Sequence, residues 1–207
     1  MICNSKSKKM KTRNLFIVAI IVFLFSGCIV YSFYPLYNKE DLFANDILTG
    51  KWTDDEGTLW NFEHAYFGKK VPENIDSTSY TLFLKDKDNM ESEFSVHIVK
   101  LGGHYFLDFY MEEFFDDENL VLASFHIIPV HTFAKLTVEE NKLIINWFDQ
   151  DWLEDLIEEN KIRIHHENNG DFILLTAKPD ELQKFVTKYV NSEEAFNDGL
   201  EAILTRQ

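Results

Sequence analysis

Between residues 47 and 148 the chain alternates apolar and polar side chains with a period of two, and turn residues cut the pattern at short intervals. A period of two puts successive side chains on opposite faces of an extended strand. The expected strands are residues 47–53, 58–66, 80–85, 94–99, 104–111, 120–128, 132–138 and 142–148. Between them lie Asp54-Asp55-Glu56-Gly57, a loop with Gly68, Pro72 and Asn74, Asp86-Lys87-Asp88-Asn89, Gly102-Gly103, the acidic stretch 112–119, and Glu140-Asn141. Such connections leave no room for crossover helices, so neighbouring strands pair antiparallel. An antiparallel meander hides its edges by closing on itself, which makes a barrel or a strongly curved sheet the expected form.

The last third changes period. Asp151 and Glu154 resemble a capping box, and Trp152, Leu153, Leu156 and Ile157 follow at helical spacing. Residues 161–166 and 171–176 flank Asn168-Asn169-Gly170, a strong hairpin turn. Pro179 opens a second helix that buries Leu182, Phe185, Val186 and Tyr189. Ser192 caps an expected last helix bearing Phe196, Leu200 and Ile203, with Gly199 weakening it. The fold class is therefore mainly β, a β-rich α+β barrel or curved sheet followed by a C-terminal helical segment.

The N-terminus addresses location. Lys6, Lys8, Lys9, Lys11 and Arg13 precede an apolar run over 15–25, and Ser26-Gly27 stand directly before Cys28. Basic, apolar and small-residue regions in that order form a secretory signal. A second reading takes 15–34 as one membrane-spanning helix, because twenty residues cover roughly 30 Å. The basic flank exports the bulk of the chain in either case. The expected division is a signal peptide over 1–27, a lipidated cysteine and tether over 28–46, and a single β-rich domain with C-terminal helices over 47–207. The aromatics Phe33, Tyr34 and Tyr37 suit a packed segment better than a free linker.

Charge and cysteine content narrow the function. The net charge is −15, and removing the five basic and no acidic side chains of 1–27 takes it to −20. Nucleic acid and polybasic lipid binding both demand the opposite sign. The two cysteines are Cys3 and Cys28, so cleavage and lipidation leave no free thiol and no disulfide in the exported domain. Cysteine nucleophiles and cysteine-ligated zinc are thereby excluded.

Ser26-Gly27-Cys28 resembles the lipobox of bacterial lipoproteins, in which the cysteine becomes the acylated first residue, commonly bearing palmitate. Gly50-Lys51-Trp52, at the start of the first strand, resembles the Gly-X-Trp signature of lipocalin and calycin barrels. That resemblance implies a Trp closing the barrel floor and an Arg from a late strand packed across its ring, with a cation–π contribution of about 1 kcal/mol. Arg163 fits that role, and Arg206, near the terminus, is a second candidate. The stretches Tyr34-Pro35-Leu36-Tyr37, Leu48-Thr49-Gly50-Lys51-Trp52, His126-Ile127-Ile128-Pro129-Val130-His131 and Asp151-Trp152-Leu153 are similar to a group of uncharacterised bacterial lipoproteins, which implies no activity.

Other chemistry is sparse. His126 and His131 flank Pro129, which can bend a strand enough to bring both imidazoles to one side. They are the weak metal candidates, with His104 or Asp108 as further ligands; no metal or cofactor is expected. His165-His166 point apart on a strand. Asp54-Asp55-Glu56 and Asp116-Asp117-Glu118 lack the spacing of a calcium loop. No Gly-X-Ser-X-Gly elbow, phosphate-cradling Gly loop or zinc His-Glu motif occurs, so no enzyme activity is expected. Two functions follow. One is an exported, membrane-anchored envelope lipoprotein, at the outer membrane or the periplasmic face of the inner membrane, that takes a small apolar or amphipathic ligand into its barrel. The other is an accessory lipoprotein that docks a protein partner. A cavity left open among the strand aromatics favours the first, and a barrel filled by Trp60, Phe62, Phe94 and Phe106, with an exposed apolar patch, favours the second.

Overall fold

The computed structural model describes residues 29–65, 77–111, 126–170 and 172–207. The strands are β1 (Tyr31–Ser32), β2 (Gly50–Thr53), β3 (Leu59–His64), β4 (Ser79–Lys85), β5 (Glu91–Leu101), β6 (His104–Tyr110), β7 (His131–Glu139), β8 (Lys142–Trp147), β9 (His166–Asn168), β10 (Ile173–Leu175) and β11 (Glu201–Arg206). Helix α1 spans Gln150–Glu158 and α2 spans Pro179–Tyr189. Among the described residues no helix is long and apolar enough to cross a membrane.

Eight strands close an antiparallel barrel in the order β6-β5-β4-β3-β2-β11-β8-β7, with β6 pairing β7. The expected barrel is present, but it is not a simple meander. β11 inserts between β2 and β8, pairing Arg206 with Trp52 and Leu204 with Leu143. The expected last helix is therefore corrected. After a short 3-10 turn at Glu193–Ala195 the chain becomes a strand. Two causes are visible. Ala202 and Leu204 are buried while Glu201 and Ile203 are exposed, a period of two. Gly199 also lies so close to β8 that a Cβ there would sit 2.4 Å from the Trp147 carbonyl oxygen. The glycine that weakens a helix is the one that lets this connection cross β8.

The expected strand over 120–128 lies largely outside the described residues, and His126 to Val130 lead into β7 without strand pairing. The hairpin across Asn168-Asn169-Gly170 is present as β9 and β10, shorter than expected. Helix α1 begins after Asp149, whose Oδ1 accepts the Asp151 N–H at 2.9 Å, so Asp149 is the N-cap. Helix α2 starts at Pro179 and buries Leu182, Phe185 and Val186.

The core has two compartments divided by the barrel wall. Leu82, Val96, Ile98, Leu107, Leu143 and Ile145 belong to the interior cluster. Val99, Leu101, Phe106 and Phe133, on the outer face of β5–β7, pack instead with Phe148, Leu153, Leu182 and Phe185 under the helices. Each fully buried side chain of this size contributes about 1.5–3 kcal/mol. Phe106, expected inside the barrel, faces outward because its neighbour Leu107 takes the inward position on β6.

Residues 29–49 are part of this fold rather than a free tether. β1 pairs β7 on one side and β10 on the other. Further along, Gln183 Nε2 on α2 donates to the Leu36 carbonyl at 3.1 Å and to Asp41 Oδ2 at 2.7 Å. Leu42 bridges Val99, and the Phe43 N–H donates to the Ile98 carbonyl at 2.9 Å.

Candidate functional site

The barrel has a floor and a mouth. At the floor lie the start of β2, the end of β11 and the β5–β6 and β7–β8 turns. Residues 43–49 cross this end. Tyr80 Oη accepts the Asn45 N–H at 3.0 Å, and Leu48 is fully buried in the interior cluster. Trp52 is 2% exposed and donates its indole N–H to the Leu48 carbonyl at 2.7 Å. The Arg206 guanidinium carbon stands 4.1 Å from the Trp52 ring centroid. Its Nη1 donates to Thr49 O at 3.1 Å and its Nη2 to Ile47 O at 3.4 Å.

Arg206, not Arg163, is the cation on Trp52. The correction follows from β11: a strand at this position places Arg206 in register with Trp52. Arg163 lies between α1 and β9, lining a surface cleft with Ile162, Lys184 and Tyr189. Gly50 belongs to the same arrangement. Its φ is +120°, and a Cβ there would stand 3.1 Å from Arg206 Nη1. Only glycine adopts that backbone freely, and it leaves the guanidinium room to reach Thr49.

The mouth is formed by the β2–β3 and β4–β5 turns, the end of β6, the start of β7 and the exit from β8. Trp60, Phe109 and Trp147 line it from inside, with Leu84 and Phe94 partly buried beside them. Asp54 organises one turn: Oδ1 accepts the Glu56 and Thr58 N–H groups at 3.1 and 2.8 Å, and Oδ2 accepts the Trp60 indole N–H at 2.9 Å. Asp86 Oδ1 likewise accepts the Asp88 and Met90 N–H groups, each at 2.8 Å. These acids act as turn formers. Trp147 stacks on Phe109, their ring centroids 5.3 Å apart. Its indole N–H is buried and has no hydrogen-bond partner among the described residues. A buried donor left unpaired costs about 1–3 kcal/mol. An acceptor-bearing guest at the mouth would relieve that cost, and neither spacing nor composition in the sequence signals it.

A third feature lies on the outer wall. Asp108 is fully buried on β6. Its Oδ1 is 2.7 Å from His131 Nδ1 on β7, and its Oδ2 accepts the Leu36 N–H at 2.8 Å. Tyr110 stacks on His131, ring centroids 4.6 Å apart. Ser32, the register partner of His131, donates its hydroxyl to the Tyr34 carbonyl at 2.7 Å. The pair thus fastens the N-terminal segment to the barrel, a role the sequence reading did not see.

His126 lies in the exposed turn before this strand, and His104 starts β6 at the floor, the opposite end from His131. Among the described residues no group of three His, Cys, Asp or Glu side chains is placed to hold a metal ion. His165 Nδ1 is 2.7 Å from Glu181 Oε2, and His166 Nδ1 is 2.7 Å from the Ile164 carbonyl oxygen. Asp116-Asp117-Glu118 and Cys28 lie outside the described residues. Burial pushes the Asp149 carboxyl above its ordinary value, while backbone N–H groups of Asp151 and Trp152 pull it back. No protein-family model matches this chain, and no curated protein or solved structure matches it.

Proposed function

We propose that this is an exported lipoprotein, anchored through acylated Cys28, whose barrel holds a small apolar or amphipathic ligand at its mouth without transforming it. The observation that carries the ligand reading is the Trp147 indole N–H, buried among aromatic side chains and unpaired. Small-molecule sites usually combine an apolar lining with a few well-placed polar groups, and the Trp147 N–H beside Trp60 and Phe109 offers that chemistry. The guest that fits carries an apolar body and a hydrogen-bond acceptor oxygen. The absence of a nucleophile–base motif in the sequence supports a binding role over a catalytic one.

The anchor reading is supported by the start of the fold. Ile29 bridges Asp149, and Tyr31–Ser32 form a strand, so these residues are not available to a helix over 15–34. The fourteen residues 15–28 would make a helix of about 21 Å, short of the roughly 30 Å hydrocarbon core. The basic, apolar, Ser26-Gly27-Cys28 order then reads as a cleaved signal. The Arg206–Trp52 stack and the closed barrel support the likeness to lipocalin-type barrels.

The test is titration of the purified protein with oleic acid, following displacement of an uncharged naphthylamine dye. Saturable displacement that weakens several-fold in Trp147→Phe is the expected result. No saturable binding of dye or fatty acid overturns the ligand reading. The accessory role then gains from a groove of about 470 Å³ on the outer wall, where Phe83 is exposed among Lys51, Asn61 and Glu93.

A further inference from the structure

We infer that the barrel mouth is held directly against a zwitterionic bilayer surface, with no linker between anchor and domain. The inference rests on the proposed acylation of Cys28. The next residue, Ile29, already bridges Asp149. Val30 is buried, Ser32 is fully buried, and the Phe33 N–H donates to the Leu175 carbonyl at 2.8 Å. One trans peptide spans about 3.8 Å. A free tether over 28–46 would instead have a root-mean-square reach of roughly 25 Å.

The path of the N-terminal segment identifies the end that faces the membrane. Ile29 bridges Asp149, just past β8 at the mouth, and packs against the interior cluster. Tyr31–Ser32 pair with the first residues of β7, also at the mouth. The segment then descends the outer wall past Asp108 to Val99 and reaches the floor at Leu48. The anchor therefore joins the domain at the end where the barrel interior is lined by Trp60 and Trp147.

The same end exposes large apolar side chains from four separate segments: Phe33, Met90, Ile128 and Leu200. Its turns also carry Asp54, Asp55, Glu56, Asp86 and Asp88. Those carboxylates repel anionic lipid, so the anchor, not the surface charge, supplies the attachment. The apolar side chains meet headgroups whose outermost charge is an amine or choline. A ligand leaving the bilayer would then reach the mouth without crossing bulk water.

Two single-cysteine variants test this, Ile128→Cys at the mouth and Val138→Cys at the floor end of β7. Both parent residues are exposed, at 69% and 42%. Cys3 leaves with the signal peptide and the Cys28 thiol is blocked by acylation, so only the introduced thiol takes a bimane label. The mature lipoprotein is reconstituted in phosphatidylcholine vesicles containing a spin-labelled lipid quencher. The nine residues of β7 separate the ends by roughly 30 Å. Quenching at least threefold stronger at 128 than at 138 is expected. Equal quenching at both positions, or stronger quenching at 138, overturns the orientation while leaving the anchor intact. An unmodified Cys28 in the mass spectrum of the same preparation overturns the anchor and, with it, this inference.

Discussion

The two ends of the barrel are built from similar aromatic residues and treat them differently. At the floor, the Trp52 indole N–H is paired, its ring is covered by Arg206, and Arg206 spends its own donors on Thr49 and Ile47. Gly50 opens the space that makes this possible. At the mouth, Trp60 is paired to Asp54, but the Trp147 indole N–H has no partner among the described residues. Around Trp52 the floor pairs the indole N–H and the guanidinium, while the Thr49 hydroxyl is buried with no partner among the described residues. The mouth keeps one donor in reserve. On the proposed reading the floor holds the barrel shut and the mouth takes the guest.

The comparison breaks most readily at Trp52. Trp52→Ala removes a buried indole and leaves Arg206 without its platform, so a loss of about 3–5 kcal/mol is expected in a urea titration. A loss below about 1 kcal/mol would mean that the floor is no more constrained than the mouth.

A smaller effect is expected at Asp108, where the N-terminal segment is fastened on its way from mouth to floor. Asp108→Ala strands the Leu36 N–H and the His131 ring, at a cost of about 2–3 kcal/mol. Amide exchange should accelerate at Leu36 and its neighbours well before it does in β5. Unchanged protection at Leu36 would show that β1 and Gln183 hold the segment unaided.

The smallest effect sharpens the mouth. Burial raises the Asp149 carboxyl pKa, so the folded state binds this proton more tightly than the unfolded chain does. The stability from that proton is fully present below the ordinary carboxyl value and is lost as pH rises through the raised value. Asp149→Asn removes the titration and keeps an acceptor for the α1 cap. The variant should be as stable as the parent or more so near neutral pH, with the difference shrinking or reversing toward about pH 4. A difference in melting temperature that does not change with pH would contradict this.

Much of the barrel was legible because its signals are local. Alternation along β3 to β8, the Gly102-Gly103 and Glu140-Asn141 turns, and Pro179 at the start of α2 each act within a few residues, so sequence determined them. β11 was misread because Phe196, Leu200 and Ile203 also satisfy a helical spacing; the vacant barrel edge between β2 and β8 decided otherwise. That same closure selected Arg206 over Arg163, since only the closing strand lies in register with Trp52. The outward turn of Phe106, the burial of Asp108 beside His131 and the unpaired indole of Trp147 were likewise tertiary outcomes. Each depends on which residues from distant segments arrive at one place, and the chain's local propensities carry no record of that meeting.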